Sequence, residues 1–196
     1  LDEGDELISV LDTTGDEDIL IATNKGMAVC FNENDVRPMG RTAVGVRGIR
    51  LREGDYVVGA GSTSAGNALL TITEKGYGKR TLCSEYAVKG RGGIGLKNYN
   101  VTEKTGNIAT VKIVTGDEDV LVITDDATII RIGVDRISLL GRATQGVRIM
   151  RLAESSRVIS IETTEKNSEE ESELPEGEQA EDASAPEEIS IETPEE

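Results

Sequence analysis

Histidine and tryptophan are absent from these 196 residues, and phenylalanine occurs once, as Phe31. Without histidine the usual zinc ligand sets and imidazole-based acid–base sites are out of reach. One phenylalanine is also thin for a propeller built on aromatic repeats. The only two cysteines, Cys30 and Cys83, lack metal-ligand spacing and read as buried free thiols in a reducing cytoplasm rather than as a disulfide. No run of about 18 apolar residues offers a membrane span. No secretory signal opens the chain, and its start at Leu1 rather than Met reads as that of a fragment or processed form. Sustained helical periodicity is missing as well, with at most a single turn expected at Asn34–Met39.

The charge that is present is unevenly placed. The chain carries a formal −16 and a pI near 4.5. From Glu162 to Glu196 there are 15 acidic residues against one basic residue, Lys166, whereas residues 1–161 hold 22 acidic and 20 basic. The acidity therefore belongs to the C-terminal segment, and the body is open to a polyanionic partner. Three of the four prolines (Pro175, Pro186, Pro194) also fall in that segment, which has too few apolar residues to offset its ordering entropy. The expected organisation is an ordered body over 1–161 and a disordered acidic tail over 162–196.

The body repeats itself. Gly40-Arg-Thr-Ala-Val-Gly-Val-Arg47, Gly90-Arg-Gly-Gly-Ile-Gly-Leu-Lys97 and Gly141-Arg-Ala-Thr-Gln-Gly-Val-Arg148 stand 50 and 51 residues apart. A second landmark keeps the same period: Asp18-Ile-Leu-Ile-Ala-Thr23, Ala68-Leu-Leu-Thr-Ile-Thr73 and Asp119-Val-Leu-Val-Ile-Thr124. Inside a unit, short β-branched runs alternate with turns. In the first, Glu6–Leu11, Ile19–Thr23, Met27–Phe31 and Val44–Leu51 are expected as strands, with Asn24-Lys25-Gly26 as a hairpin turn. Four short strands per unit predict an all-β, propeller-like repeat of about three four-stranded blades, over about 5–55, 56–106 and 107–156. A strand starting at Arg157–Glu162 is expected to complete a neighbouring unit, and blades missing from a closed ring are expected before Leu1.

Basic residues recur in register. Counting from the glycine of each Gly-Arg pair, position one is Arg41, Arg91 and Arg142, position seven is Arg47, Lys97 and Arg148, and position ten is Arg50, Asn100 and Arg151. Eight of these nine sites are basic in a body where 20 of 161 residues are, which exceeds what composition supplies. Apolar residues at position six (Val46, Leu96, Val147), nine (Ile49, Tyr99, Met150) and eleven (Leu51, Val101, Leu152) interleave with them, so ten is turned away from the core. Six and nine differ by an odd number, so a bulge is expected near Gly48 and its equivalents. An arc of cations of this kind suits a bent phosphate backbone, bound through counterion release with little reading of base edges. For position one, a structural role bonding a neighbouring blade is an equally good reading. The acidic clusters Gly15-Asp-Glu-Asp18 and Gly116-Asp-Glu-Asp119 are not regular enough to pair with seven and ten, and read as solvated loops or as sites that keep DNA off one face.

These motifs, together with Gly76-Tyr-Gly-Lys-Arg-Thr81, closely resemble the C-terminal domain of the DNA gyrase A subunit over roughly Asp5 to Ile161. The resemblance implies a β-pinwheel whose blades exchange strands and whose rim wraps duplex DNA. It adds Lys79, Arg80 and Lys89 to the expected DNA contacts Arg41, Arg47, Arg50, Arg91, Lys97, Arg142, Arg148 and Arg151. It also implies partners, namely the rest of the gyrase A subunit and the gyrase B subunit in an A2B2 assembly at the bacterial chromosome. ATP and Mg would be held on other domains or subunits and no cofactor in this chain. The family's box Gln-Arg-Arg-Gly-Gly-Lys-Gly is absent. Lys89-Gly-Arg-Gly-Gly-Ile-Gly95 looks like a degenerate copy, which puts complete wrapping by this chain alone in doubt. None of Tyr56, Tyr77, Tyr86 and Tyr99 reads as a strand-cleaving nucleophile, so the chain by itself is expected to be no enzyme. The rival readings are the corresponding topoisomerase IV domain and a propeller used for protein interaction; a catalytic propeller fits less well. The tail reads equally as a solubilising segment or as an intramolecular competitor for the basic rim.

Overall fold

The computed structural model describes residues 4–153 and 155–166. Three β-hairpins form where the sequence alternates and then turns. β1 (Asp18–Thr23) and β2 (Met27–Asn32) form the first, β4 (Ala68–Thr73) and β5 (Tyr77–Leu82) the second, and β8 (Glu118–Thr124) and β9 (Ile129–Gly133) the third. Gly26 and Gly76 close the first two hairpins at φ +84° and +76°. Ala127 holds the same place in the third at φ 65°, a conformation costing a non-glycine residue roughly 1–2 kcal/mol.

Each of the first two hairpins is clamped between two strands of the unit that follows it. β3 (Val57–Ser62) pairs with β1 and β6 (Leu96–Lys97) with β2, giving the order β3-β1-β2-β6. β7 (Ile108–Val114) and β10 (Val147–Arg148) clamp the second hairpin in the same way, as β10-β5-β4-β7. The third sheet, β11-β8-β9, receives only β11 (Val158–Glu165). Ala127 is tolerated for this reason: a Cβ on Gly26 would lie 2.7 Å from the Tyr99 carbonyl, and one on Gly76 would lie 2.8 Å from that of Met150, whereas no strand lies on the outer edge of β9, the place of β6 and β10, among the described residues. The all-β, strand-exchanging blade architecture is thus as expected, with two four-stranded sheets and one three-stranded sheet. Single 3-10 turns follow β2, β3, β5 and β9, the first at Glu33–Asp35.

Two expected strands are not formed. Glu6–Leu11 and Val44–Leu51 are irregular, with Leu7, Val10 and Val44 at 70%, 80% and 98% exposure. Their counterparts clamp the hairpin of the preceding unit, and no hairpin precedes them among the described residues. A strand without a ladder partner leaves its N–H and C=O groups to water and gains nothing from being extended. A third correction concerns the body's limit at Ile161. β11 runs on to Glu165, and Glu162 pairs with Leu121 in the ladder and with Lys112 in a salt bridge. The expected tail beyond Lys166 lies outside the described residues.

The core lies between sheets. Leu20, Ala22, Leu69, Tyr99 and Ile108 pack between the first two, and Leu70, Ile72, Val114, Val120, Val122 and Val158 between the second and third. β4 is buried along its whole length because both its faces are covered. Each large aliphatic side chain removed from water in this way contributes roughly 1.5–3 kcal/mol. Gly59 and Gly61 let β3 approach β7 closely, since added Cβ atoms would meet Val111 and Ile113 at 2.8 and 2.6 Å. β3 packs on β7 and β7 on β11, so these strands line the inside, and β6 and β10, at the opposite sheet edges, form the outer rim.

Candidate nucleic-acid interface

Position seven lands on that rim. Lys97 sits on β6 opposite Met27 and Arg148 on β10 opposite Tyr77, equivalent places on successive sheets, and both are exposed. Immediately after them the chain bulges. The Gly26 carbonyl accepts from both Asn98 N (2.8 Å) and Tyr99 N (3.2 Å), and that of Gly76 from both Ile149 N (2.9 Å) and Met150 N (3.2 Å). Two successive donors on one acceptor are the irregularity expected at Gly48 and its equivalents, and they reverse the facing of the next residues. Position nine turns inward as a result, with Ile49, Tyr99 and Met150 all buried, while Arg50 and Arg151 at position ten are exposed. Positions six and eleven are more open than expected, with Val46 and Leu51 39% and 43% exposed.

At position one, Arg91 and Arg142 take the structural of the two expected roles. Arg91 Nε donates to the Asp35 carbonyl (3.0 Å) and Nη1 to that of Arg47 (3.2 Å); Arg142 Nη1 donates to the carbonyl of Lys97 (3.1 Å). Each of these two arginines therefore grips the position-seven residue of the preceding unit, which places cations of successive units side by side: Arg91 by Arg47 and Arg142 by Lys97. Arg41 is exposed, as is Lys89, whose backbone N–H bonds the Cys30 carbonyl (2.8 Å). Among the described residues, none of Arg41, Arg47, Arg50, Lys89, Lys97, Arg148 and Arg151 enters an ion pair. Glu17 of the first acidic cluster instead accepts from Thr14 in its own loop, from Ser62 at the end of β3 and from Ser64 just beyond it, and Glu118 of the second caps its own loop through Thr115 and Gly116.

Two expected contacts are corrected. Lys79 is fully buried, and its ammonium donates to the carbonyls of Asn98 (2.8 Å), Gly141 (2.7 Å) and Arg142 (2.6 Å) and to Thr144 Oγ1 (3.2 Å). Burial pushes its pKa down to about 8. It is an internal tether for the Gly141–Thr144 loop, out of reach of a phosphate. Arg80 is half-buried and spends Nε on the Ile137 carbonyl (2.8 Å) and Nη2 on that of Asp135 (3.2 Å), so it braces the third sheet. Both thiols are free, Cys30 buried and raised to about 11 by burial, Cys83 half-buried.

Residues not anticipated as contacts also gather at the rim. Lys75, Tyr77 and Lys104 share a groove with Arg148 and Arg151. Lys75 repeats Lys25 in the hairpin turn and was legible. Lys104 stands where the first unit has Gly54, so no repeat could flag it. Among the described residues, no three His, Cys, Asp or Glu side chains gather as a metal site.

A family model described as "DNA gyrase C-terminal domain, beta-propeller" matches residues 17–64, 67–115 and 118–165. The DNA gyrase A subunit of Staphylococcus epidermidis (strain ATCC 12228 / FDA PCI 1200) is 50% identical over 161 residues, 81% of this chain and 18% of that protein. That of Staphylococcus aureus (strain MRSA252) is 46% identical over 173 residues, 87% of this chain and 20% of the relative. The chain thus spans about a fifth of the length of these curated relatives. Among solved structures, a DNA gyrase A C-terminal domain superposes with a TM-score of 0.72 at 29% identity, covering 77% of this chain and 52% of its own. A DNA topoisomerase IV C-terminal domain reaches the same TM-score at 26% identity, covering 77% and 47%.

Proposed function

Because the chain belongs to the DNA gyrase C-terminal domain family, we propose that its outer strands bind duplex DNA through the phosphates and bend it along the rim. The observation that carries this reading is the recurrence, at one place on successive sheets, of exposed cations that enter no ion pair among the described residues: Lys97 on β6 and Arg148 on β10. A straight duplex would touch one or two sheets. Continuing past these two sheets onto the cations of a further unit would require bending, at a cost on the order of 1–6 kcal/mol for 20–30 base pairs, which additional phosphate contacts would offset. Contacts made through phosphates carry no base sequence, so little sequence specificity is expected. In the parent protein the bent duplex would serve ATP-dependent negative supercoiling. Strand cleavage, ATP and Mg would belong to the remainder of the gyrase A subunit and to the B subunit, in an A2B2 assembly at the cytoplasmic chromosome.

Similarity of shape does not separate gyrase from topoisomerase IV, since both solved domains superpose equally well; the relatives at 46–50% identity, both gyrase A subunits, favour gyrase. The test is duplex binding across a salt series, followed by ligation of nicked circles in the presence of the chain. Binding should weaken steeply with salt, and Lys97→Ala and Arg148→Ala should each reduce the log–log slope by about 0.9. Ligated circles should carry a shifted linking number. Binding that ignores salt, or slopes unchanged in both variants, would refute the rim as the interface.

A further inference from the structure

At the hairpin end of the second sheet a groove of about 650 Å³ is lined by Lys75, Tyr77, Lys104, Arg148, Arg151 and Arg157, among others. Tyr77 is 7% exposed, yet its hydroxyl accepts from Arg148 Nε (3.2 Å) and Nη2 (2.8 Å), and Lys104 Nζ lies 5.6 Å from its ring centroid. The carboxylates nearby offset only part of this positive charge among the described residues. Glu74, which also lines the groove, keeps its charge while accepting from the backbone N–H of Asn107, but it faces five cations; Asp125 pairs with Arg157, and Lys75 donates to the Glu103 carbonyl. Lys104, Arg148 and Arg151 remain outside any ion pair among the described residues.

The same place on the first sheet is built differently. Lys25 donates to the Glu53 carbonyl as Lys75 does to that of Glu103, which fixes the equivalence. There Met27 stands for Tyr77, Gly54 for Lys104 and Asn100 for Arg151, and the position-seven cation, Lys97, is tied to Asn100 Oδ1 at 2.8 Å. The repeat explains the cation at position seven but not the cluster round Tyr77. Like charges held together around a buried ring repel one another, and an anion seated among them relieves that cost.

We propose that this groove is the anchoring phosphate seat of the rim, taking a backbone phosphodiester on Arg148, Arg151 and Lys104, with Tyr77 as the positioning residue that fixes the Arg148 guanidinium. The proposal rests on the DNA-binding reading above. With Nε and one Nη2 hydrogen committed to Tyr77, the guanidinium still offers Nη1 in a fixed direction, so little side-chain entropy remains to be lost on contact. The rim therefore grips unequally, and the path of the duplex is pinned at the second sheet.

The test is a salt-series anisotropy titration of a labelled duplex with the whole chain, each variant first checked for an unchanged melting temperature. Lys104→Ala/Arg151→Ala should lower the slope by about 1.8, two phosphate contacts. Tyr77→Phe should weaken binding by about 3- to 10-fold at fixed salt with the slope retained, as loss of one hydrogen bond's worth of ordering predicts. In an Arg148→Ala background the same Tyr77 change should have no further effect. A wild-type slope in the double variant, with Lys97→Ala still lowering it, overturns the seat and leaves the DNA-binding reading intact. Full weakening by Tyr77→Phe without Arg148 overturns the positioning role. Inorganic pyrophosphate competing equally well against wild type and the double variant overturns the proposal in favour of an anion bound elsewhere. No salt-dependent binding by the wild-type chain refutes the reading on which it rests.

Discussion

Replacing Lys79 with methionine separates a tether from a DNA contact. Its ammonium has three protons and four acceptors within reach, the carbonyls of Asn98, Gly141 and Arg142 and the Thr144 hydroxyl, and it lies 5.1 Å from the Tyr99 ring centroid. Hydrogen bonds to a charged group contribute roughly 1.5–3 kcal/mol each, and an orphaned buried acceptor costs about 1–3 kcal/mol. The losses are not fully additive. Gly141 and Thr144 are exposed and can turn to water, whereas Asn98 is fully buried and cannot. Methionine fills much of the volume and is spared the ammonium's desolvation, which offsets part of the loss. A net destabilisation of about 2–4 kcal/mol remains, and at about 2–4 °C per kcal/mol for a body of this size the melting temperature should fall by roughly 5–15 °C. The assays are a circular-dichroism melt and a salt-series duplex titration run well below both transitions. The melt should shift and the slope should not. An unshifted melt with a slope reduced by about 0.9 would mean that Lys79 meets a phosphate, and the tether account would fail.

Two further outcomes follow from named groups. Hydrogen bonds from Ser62, Ser64 and Thr14 hold the Glu17 carboxyl down to about 2, against an ordinary 4.5. A depressed carboxylate stabilises the fold above its unfolded pKa and loses that contribution as the pH falls toward 2. Melts between pH 5 and pH 2 should therefore show a steeper acid loss for the wild type than for Glu17→Gln, and parallel curves would refute it. Residues 167–196 hold 13 acidic residues and no basic one. If that segment competes for the rim, truncation after Lys166, which spares β11, should tighten duplex binding at low salt and leave it unchanged at high salt; unchanged affinity at low salt would dismiss competition.

Much of the fold was legible because its signals are local. The short runs of apolar and β-branched residues in β1, β2 and β4, and the glycine turns at Gly26 and Gly76, are set within a few residues. The bulge after position seven followed from parity alone. Glu6–Leu11 reads as a strand and is none, because alternation shows that a segment can be a strand, not that a partner is present. Ile161 was a poor boundary because charge marked it. A solvated strand face accepts glutamate, and Glu162 has Lys112 beside it. For Lys79 the repeat does hold a signal: its counterparts are Val29 and Ile130, apolar residues on a strand, so the position is inward even though the Lys-Arg pair looks basic.

By itself, then, the sequence determined the hairpins, their fifty-residue period and the presence of a cation at a fixed place in every unit, because strand alternation, turn stereochemistry and repeat register are properties of short segments. The tertiary structure decided which cations are available. Lys79, Arg80, Arg91 and Arg142 are bound to carbonyls that strand exchange brings from other units, while Arg148 and Lys104 converge on Tyr77 from separate segments of chain. A lysine's charge is written in its sequence, but whether that charge faces carbonyls or solvent depends on which distant strand lies beside it.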